Sequence, residues 1–126
     1  MLLLKAPANL NVIDPTDKTI FLAGSIEMGA AEDWQEEVVQ YFSDVNVVLL
    51  NPRRDNWDSS WEQSISNPQF YEQVTWELNA MDLADKILIN FLPNTKSPIS
   101  LLELGIYAHT DKVVVCCPEG FGVKVM

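Results

Sequence analysis

The sequence alternates short apolar runs with longer amphipathic segments along almost its whole length. Four runs are nearly continuous in apolar residues and predict β-strands: 18–23, 45–50, 86–92 and 112–117. Three segments between them carry apolar residues at helical spacing and predict α-helices: about 31–42, 69–84 and 98–110. Continuous apolar strands suit a sheet covered on both faces, and intervening helices favour parallel pairing through right-handed crossovers. The pattern therefore predicts a three-layer α/β fold of flavodoxin-like (Rossmann-like) type, an open parallel sheet with helices on both faces.

Length and composition fit one globular domain. The chain has 126 residues, of which 48% are hydrophobic and 21% charged, a balance at which disorder, collagen-like repeats and coiled coils are poor interpretations. We predict a single domain over residues 1–126, with residues 1–17 as an N-terminal extension. The apolar runs are far shorter than the roughly 20 residues that a membrane span requires, so we expect a cytoplasmic protein without a membrane partner.

Charge and the scarcity of cysteine and histidine exclude several functions. The formal net charge of -10 repels phosphate backbones, so a nucleic-acid polymer is not an expected partner. Cys116 and Cys117 are adjacent in an apolar stretch, and neighbouring strand residues point to opposite faces, so we expect two reduced, buried thiols. Because His109 is the single histidine, no zinc site of the usual spacing can be assembled and no metal is expected.

Three loops follow strands at the carboxyl edge, where parallel sheets bind ligands. They comprise residues 24–29, 51–57 with the stretch beyond, and 93–98. The first begins with Gly24 and Ser25 but lacks both the Lys-Ser/Thr of a P-loop and a G-x-G-x-x-G fingerprint. It supplies backbone N–H groups at a helix N-terminus, where a sugar hydroxyl or an anion could bind.

The second loop is long, polar and aromatic. It holds both arginines of the chain, Arg53 and Arg54, and continues through Asp55, Asn56 and Trp57. Its length to residue 68 exceeds the roughly 12–15 residues beyond which loops are usually functional or disordered, and its aromatic residues argue against disorder. Such a loop could stack on a flat heterocycle. The alternative is a lid packed on its own core or at a subunit interface.

Two glutamates stand on predicted helices where a buried charge is costly. Glu103 lies among leucine and isoleucine residues, and Glu77 borders an apolar stripe of its helix. That stripe consists of Phe70, Val74, Leu78 and Met81. Each glutamate is either functional or paired with a core tyrosine or arginine. Asp85, at the end of the same helix, opposes the helix dipole and either has a function or bonds to a loop.

Ser97 and Pro98 open the third predicted helix. Serine is a favoured N-cap and proline a favoured first helical residue, so we expect Ser97 to cap the helix. Capping alone is a sufficient explanation for this serine.

These residues together resemble the nucleoside deoxyribosyltransferase family. The matching segments are 20–25 (IFLAGS), 51–55 (NPRRD), 77–79 (ELN) with Asp85 beyond them, and above all 97–105 (SPISLLELG). They lie between about residue 19 and residue 118, so the resemblance covers the whole predicted fold.

The resemblance implies a reaction and a set of site residues. Glu103 would be the nucleophile that attacks the anomeric carbon of a 2'-deoxynucleoside, Glu77 would protonate the departing base, and Asp85 would be a weaker catalytic candidate. A carboxylate can trap an oxocarbenium-like centre as a glycosyl ester, which a second base or water resolves with net retention. The implied substrate-binding residues are Gly24, Ser25, Asn51, Arg53, Arg54, Asp55, Asn56, Trp57 and Ser97.

Two positions depart from the better-known transferases. Ser97 stands where they carry a base-contacting aspartate, and where a related deoxynucleoside monophosphate N-glycosidase carries a phosphate-contacting serine. Phe21 stands in place of the tyrosine that orients the nucleophile, which leaves Tyr107 or no hydroxyl for that task. Family members complete each site with the C-terminal segment of a neighbour, so a homo-oligomer is implied.

Three functions follow as hypotheses. The first is base exchange on deoxynucleosides through a Glu103 adduct, without cofactor or metal, with small-molecule deoxynucleosides and nucleobases as partners. The second is hydrolysis of nucleoside 5'-monophosphates, with Ser97 and Arg53 or Arg54 holding the phosphate. The third is a catalytically inactive nucleotide-binding module on the same fold.

Overall fold

Five parallel strands form one sheet in the computed structural model, which describes residues 1–25, 32–55 and 60–121. The strands are β1 (Leu2–Lys5), β2 (Thr19–Gly24), β3 (Val48–Asn51), β4 (Lys86–Asn90) and β5 (Val113–Cys116). Their order is β1-β3-β2-β4-β5, and each neighbouring pair is parallel. Counted from β2, this is the strand order of flavodoxin-like folds. The predicted fold class is therefore confirmed.

Three α-helices connect the strands from β2 onward in the part of the chain that the structure describes. They are α1 (Trp34–Tyr41), α2 (Pro68–Leu83) and α3 (Pro98–Tyr107). The Asp33 carboxylate caps α1 by accepting from the Glu36 N–H at 3.2 Å, and the Asn67 side chain caps α2 by accepting from the Phe70 N–H at 3.0 Å. All three predicted helices are present. None in the described ranges is long and apolar enough to cross a membrane.

The helices divide between the two faces of the sheet. On one face, Trp34 and Val39 of α1 pack with Leu22 and Leu49 of the central strands. On the other face, α2 and α3 cover a larger core that holds the following side chains: Phe21, Leu50, Trp76, Met81, Ile87, Ile89 and Tyr107. This three-layer arrangement buries both faces of β2 and β3, as their continuous apolar sequences predict.

The inner face of α2 differs from the predicted stripe of Phe70, Val74, Leu78 and Met81. The residues that are buried are Gln73, Trp76, Ala80 and Met81, whereas Leu78 is 39% exposed. The large Trp76 ring sets this orientation, since it packs 6.3 Å from the Phe21 ring and its Nε1–H donates to the Ala8 carbonyl at 2.8 Å. As a result a polar side chain, Gln73, points inward.

The two edge strands depart from the sequence-based expectations. Strand β1 lies inside the predicted N-terminal extension and pairs with β3 from Leu2↔Val48 to Lys5↔Asn51; its four residues are too short a run to stand out in the sequence. At the other edge, Cys116 and Cys117 are exposed free thiols, so the prediction that they are buried is wrong. Within the described ranges, β5 pairs with β4 alone, and most of its residues are exposed.

Candidate active site

The direction in which successive strands are added to the sheet reverses between β2 and β4, and open α/β sheets form their binding crevice at such a point. The crossover from β2 leads to β3 on one side, and the crossover from β4 leads to β5 on the other. At the carboxyl end of β2, Gly24 has a φ of +138°, and a Cβ there would lie 2.1 Å from the Asn90 carbonyl oxygen. Only glycine allows this close approach of the two strand ends.

Three hydroxyl groups meet directly beyond these strand ends. The Ser25 hydroxyl lies 2.7 Å from the Ser97 hydroxyl and 2.8 Å from that of Thr95, and it accepts the Leu92 N–H at 2.9 Å. Ser100, at the start of α3, donates to the Gly24 carbonyl at 2.8 Å. These bonds attach the first turn of α3 to the end of β2, so the loops on both sides of the crevice are held together.

Ser97 occupies the N-cap position of α3, but its side chain makes no capping hydrogen bond. The predicted capping role of its hydroxyl is therefore wrong. Its backbone is left-handed, with φ 46° and ψ 54°, a conformation that costs a non-glycine residue about 1–2 kcal/mol. This conformation accompanies the hydrogen bond of its hydroxyl with Ser25.

Glu103 and Glu77 form a carboxyl pair between α3 and α2. Glu103 is 6% exposed and lies on the same face of α3 as Ser100 and Tyr107, and Glu77 is half-buried. The two carboxyl groups lie close enough for each to affect the pKa of the other. Burial, together with the neighbouring Glu77 charge and hydrogen bond, raises the pKa of Glu103 to about 9. A raised pKa favours the neutral form of Glu103 near neutral pH.

Burial is the largest influence on Glu77 and raises its pKa above the ordinary value. The Gln73 amide, the neighbouring Glu103 and the charge of Arg54 act in the opposite direction and favour the ionised form. The Gln73 Nε2–H donates to Glu77 Oε2 at 2.9 Å. The Arg54 guanidinium donates to Gln73 Oε1 at 2.5 Å and to Glu72 Oε1 at 2.6 Å.

The other residues predicted to bind substrate from the second loop differ in burial and in hydrogen-bond partners. Asn51 is buried and accepts the Arg53 N–H at 3.0 Å through its Oδ1. The Arg53 guanidinium donates to the Glu32 carbonyl at 3.2 Å and lies 3.8 Å from the Asp33 carboxylate. Asp55 is exposed and pairs with Lys5. Asn56 and Trp57 lie outside the described residues.

Asp85 is not brought together with the glutamates. It precedes β4 at the amino edge of the sheet, where its carboxylate accepts the Thr19 N–H at 2.9 Å and the Thr19 hydroxyl at 3.2 Å. Tyr107 does not bond to Glu103 either: its hydroxyl donates to Asp82 at 2.8 Å, and burial and this acid raise its pKa to about 12. Neither residue enters the mechanism proposed below.

Sequence reasoning missed Gln73 and Thr95. The signal for Gln73 was its position three and seven residues before Trp76 and Ala80, which places it on their face of α2. Thr95 carried no local signal, because its partner Ser25 is 70 residues away in the sequence. Within the described ranges, no group of three or more His, Cys, Asp and Glu side chains is arranged to hold a metal ion.

Comparison with known proteins identifies the family. The model of the family described as nucleoside 2-deoxyribosyltransferase like matches residues 17–121. This range contains all three helices and every strand of the sheet except β1. A sequence search of functionally curated proteins gives no match. The matched region contains the carboxyl pair, the hydroxyl cluster and the Arg54–Gln73 contact. The chain belongs to the nucleoside 2-deoxyribosyltransferase-like family.

Proposed function

We propose that this protein exchanges nucleobases on 2'-deoxyribonucleosides, with Glu103 as the nucleophile and Glu77 as the acid and base. Membership of the family supports a general role in glycosyl transfer. The observation that carries the specific proposal is the buried Glu103–Glu77 pair beside the crevice. Retaining glycosyl transfer needs two carboxyl groups of opposite protonation state, one to attack and one to manage the proton of the leaving group.

In the first half-reaction, a Glu103 oxygen forms a bond to C1' while the bond from C1' to the base nitrogen breaks. The proton of Glu103 passes to Glu77 and from Glu77 to the departing nitrogen, so the base leaves neutral and Glu77 is again a carboxylate. In the second half-reaction, Glu77 takes the proton of an incoming base, which attacks C1' and releases Glu103. Two inversions at C1' give net retention.

The other site residues are assigned to the sugar and the base. The Ser25 and Ser97 hydroxyls and the Gly24 loop lie beside the crevice and would bind sugar hydroxyl groups. Asn51 and Arg53, at the end of β3, would shape the adjacent wall of the crevice through their mutual hydrogen bond. Asn56 and Trp57 remain proposed contacts of the base, on the sequence argument alone, and Asp55 a proposed residue of the same loop.

Hydrolysis of nucleoside 5'-monophosphates is the second candidate, and Ser97 favours it. A buried serine hydroxyl at the start of a helix is suited to a phosphate oxygen. However, both arginines that would neutralise the phosphate donate to protein acceptors, Arg54 to Gln73 and Glu72 and Arg53 to Glu32. The base-exchange proposal needs neither arginine on the substrate, and we prefer it for that reason. An inactive nucleotide-binding module is the third candidate.

Product chromatography distinguishes these candidates. The protein is incubated with thymidine plus adenine and, separately, with a deoxynucleoside monophosphate alone. We expect new deoxyadenosine in the first mixture, and none with Glu103→Gln. Free base from the monophosphate alone would replace the proposal with hydrolysis. Saturable ligand binding without bond cleavage in either mixture would favour the inactive nucleotide-binding module.

We also propose that the protein forms a homodimer through the outer face of α3. This face exposes Ile99, Leu102 and Ile106 and carries no charge, since Glu103 is the one charged residue of α3 and points inward. On a chain of net charge -10, an uncharged apolar face is where two copies can approach without repulsion.

Sedimentation velocity tests the dimer with a matched pair of variants. Leu102→Glu places a charge on the α3 face, and Tyr41→Glu places the same charge on α1, across the sheet, where Tyr41 is exposed. We expect Leu102→Glu to give monomers and Tyr41→Glu to leave the dimer intact. A monomeric wild-type protein, or equal effects of the two substitutions, would contradict this proposal.

A further inference from the structure

The side-chain amide of Gln73 can adopt only one orientation. Its two Nε2–H groups donate to the Pro52 carbonyl at 2.7 Å and to Glu77 Oε2 at 2.9 Å, and its Oε1 accepts from Arg54 at 2.5 Å. A flipped amide would set Nε2–H groups against the guanidinium, which has no acceptor, and Oε1 against two oxygens. Gln73 is buried on α2, so water cannot replace these partners.

We propose that Gln73 is a positioning residue whose fixed N–H donor favours the ionised form of Glu77, so that a proton shared by the two glutamates resides on Glu103. A fixed N–H donor favours the charged form of the carboxylate that accepts from it. Among the described hydrogen bonds, Glu77 accepts one from Gln73, and the neighbouring Glu103 acts on its pKa in the same direction. The arrangement therefore defines which of the two glutamates starts the reaction with a proton.

The charged and titratable groups around the pair support this assignment. Arg54, from the loop after β3, acts on Glu77 through its charge and is itself held by Glu72 at the outer side of α2. On the other side, Tyr107 of α3 and Asp82 of α2 are bonded to each other at 2.8 Å. The positive charge is thus on the Glu77 side of the pair, and the paired tyrosine and aspartate lie beyond Glu103.

The consequence for the reaction rests on the proposed function. The nucleophile is stored in its unreactive, protonated form, and it becomes a carboxylate only as its proton moves through Glu77 to the leaving base. The attack and the departure of the base are then coupled by one proton. An enzyme with this coupling does not expose a free carboxylate nucleophile when no base is in position to leave.

The test follows the two carboxyl groups directly by NMR of carbon-13-labelled glutamate side chains in the full chain, without substrate. Glu103→Gln and Glu77→Gln assign the two signals. In the wild type we expect Glu103 to be protonated and Glu77 ionised at pH 7. Gln73→Met removes both donors, and we expect the acid midpoint of Glu77 to rise by about one pH unit or more. The matched control is Gln40→Met. The Gln40 side-chain amide donates the same kind of hydrogen bond to the Glu36 carboxylate, at 2.9 Å, on the exposed face of α1.

A second variant keeps the test decisive if Gln73→Met does not fold. Gln73→Glu retains the side-chain length and an acceptor for Arg54, removes the donor to Glu77 and adds a like charge. We expect it to raise the same midpoint at least as much. Unchanged titration in the folded variants, or a wild-type proton on Glu77, would overturn the inference. Because no substrate is used, the expected titration without base exchange would refute the proposed function alone, and base exchange with unchanged titration would refute this inference alone.

Discussion

The amino and carboxyl edges of the sheet hold acidic side chains whose neighbouring groups differ. At the amino edge, Asp85 accepts two hydrogen bonds from Thr19, while its own N–H donates to the Thr19 hydroxyl at 2.9 Å. Near the carboxyl edge, Glu103 is buried, and the neighbouring charged group that raises its pKa is a second acid, Glu77. Both acids follow from the same kind of sequence signal, a carboxylate beside an apolar helix or strand.

The contrast separates a carboxylate that stabilises the fold from one that is available for chemistry. Asp85 is exposed, and its carboxylate accepts the N–H and the hydroxyl of the buried Thr19, which joins the end of α2 to β2. Glu103 is buried beside a second acid, and burial and that acid raise its pKa, which favours its protonated form. Perturbed titration in a crevice is typical of functional groups, whereas a fully satisfied carboxylate at the far edge is typical of structure.

The largest expected effect that tests this contrast is the loss of activity in Glu103→Gln. We expect base exchange to fall by about 10⁴-fold or more, because the amide cannot form the glycosyl ester. Near pH 5, well below the folded pKa of Glu103, the free energy of unfolding should change by less than about 1 kcal/mol, since the amide resembles the protonated acid in shape. Activity assays combined with urea unfolding check both parts. Full turnover in this variant would refute the role of Glu103.

The second effect is the pH dependence of stability. The pKa of Glu103 is about 9 in the folded chain against 4.5 for an ordinary glutamate, so the folded state binds more protons between these values. The free energy of unfolding should therefore decrease as pH rises from about 5 to 9, by up to about 1.4 kcal/mol per pH unit from this group. Urea unfolding at pH 5, 7 and 9 should show a weaker decrease in Glu103→Gln. Parallel curves for the two proteins would contradict the raised pKa.

At the opposite edge, Asp85→Ala should destabilise the fold without changing the chemistry. It leaves the buried Thr19 N–H without its acceptor, which costs about 1–3 kcal/mol. Base exchange per folded molecule should equal that of the wild type. Loss of activity in a variant that remains folded would place Asp85 in the mechanism and remove the contrast between the two edges.

The smallest effect concerns Gln35, whose side-chain amide is buried in α1. Neither of its side-chain amide atoms has a partner in the part of the chain that the structure describes. Gln35→Met has similar length and no polar group to leave unpaired, so stability should rise by about 1 kcal/mol. Thermal and urea unfolding measure this change. A loss of stability would show that Gln35 has a partner that compensates its burial.

The sequence predicts best those features that depend on local patterns. Strands β2 to β5 and the three helices follow from apolar periodicity, and the fold class follows from their alternation. Glu103 could be singled out because a lone carboxylate in an apolar helix is costly. Glu77, beside an apolar stripe, and Ser97, at a helix start, are also identified from local patterns, and the resemblance to the family implies the roles of all three residues.

Features that depend on distant residues could not be predicted in this way. The orientation of α2 is set by Trp76 against Phe21, and it determines that Gln73 rather than Leu78 points inward. The hydroxyl of Ser97 bonds to Ser25, 72 residues earlier, instead of capping its own helix. Likewise, the exposure of Cys116 depends on β5 being an edge strand, which is a property of the sheet order.

The most direct test of the central claim is to identify the covalent intermediate. The protein is mixed with a 2'-deoxynucleoside in the absence of acceptor base, quenched in acid and digested, and its peptides are analysed by mass spectrometry. We predict one deoxyribosyl group on the peptide that contains Glu103, with none in Glu103→Gln and with loss of the group when an acceptor base is added before the quench. Base exchange without an adduct on Glu103, or an adduct on a different residue, would contradict the account.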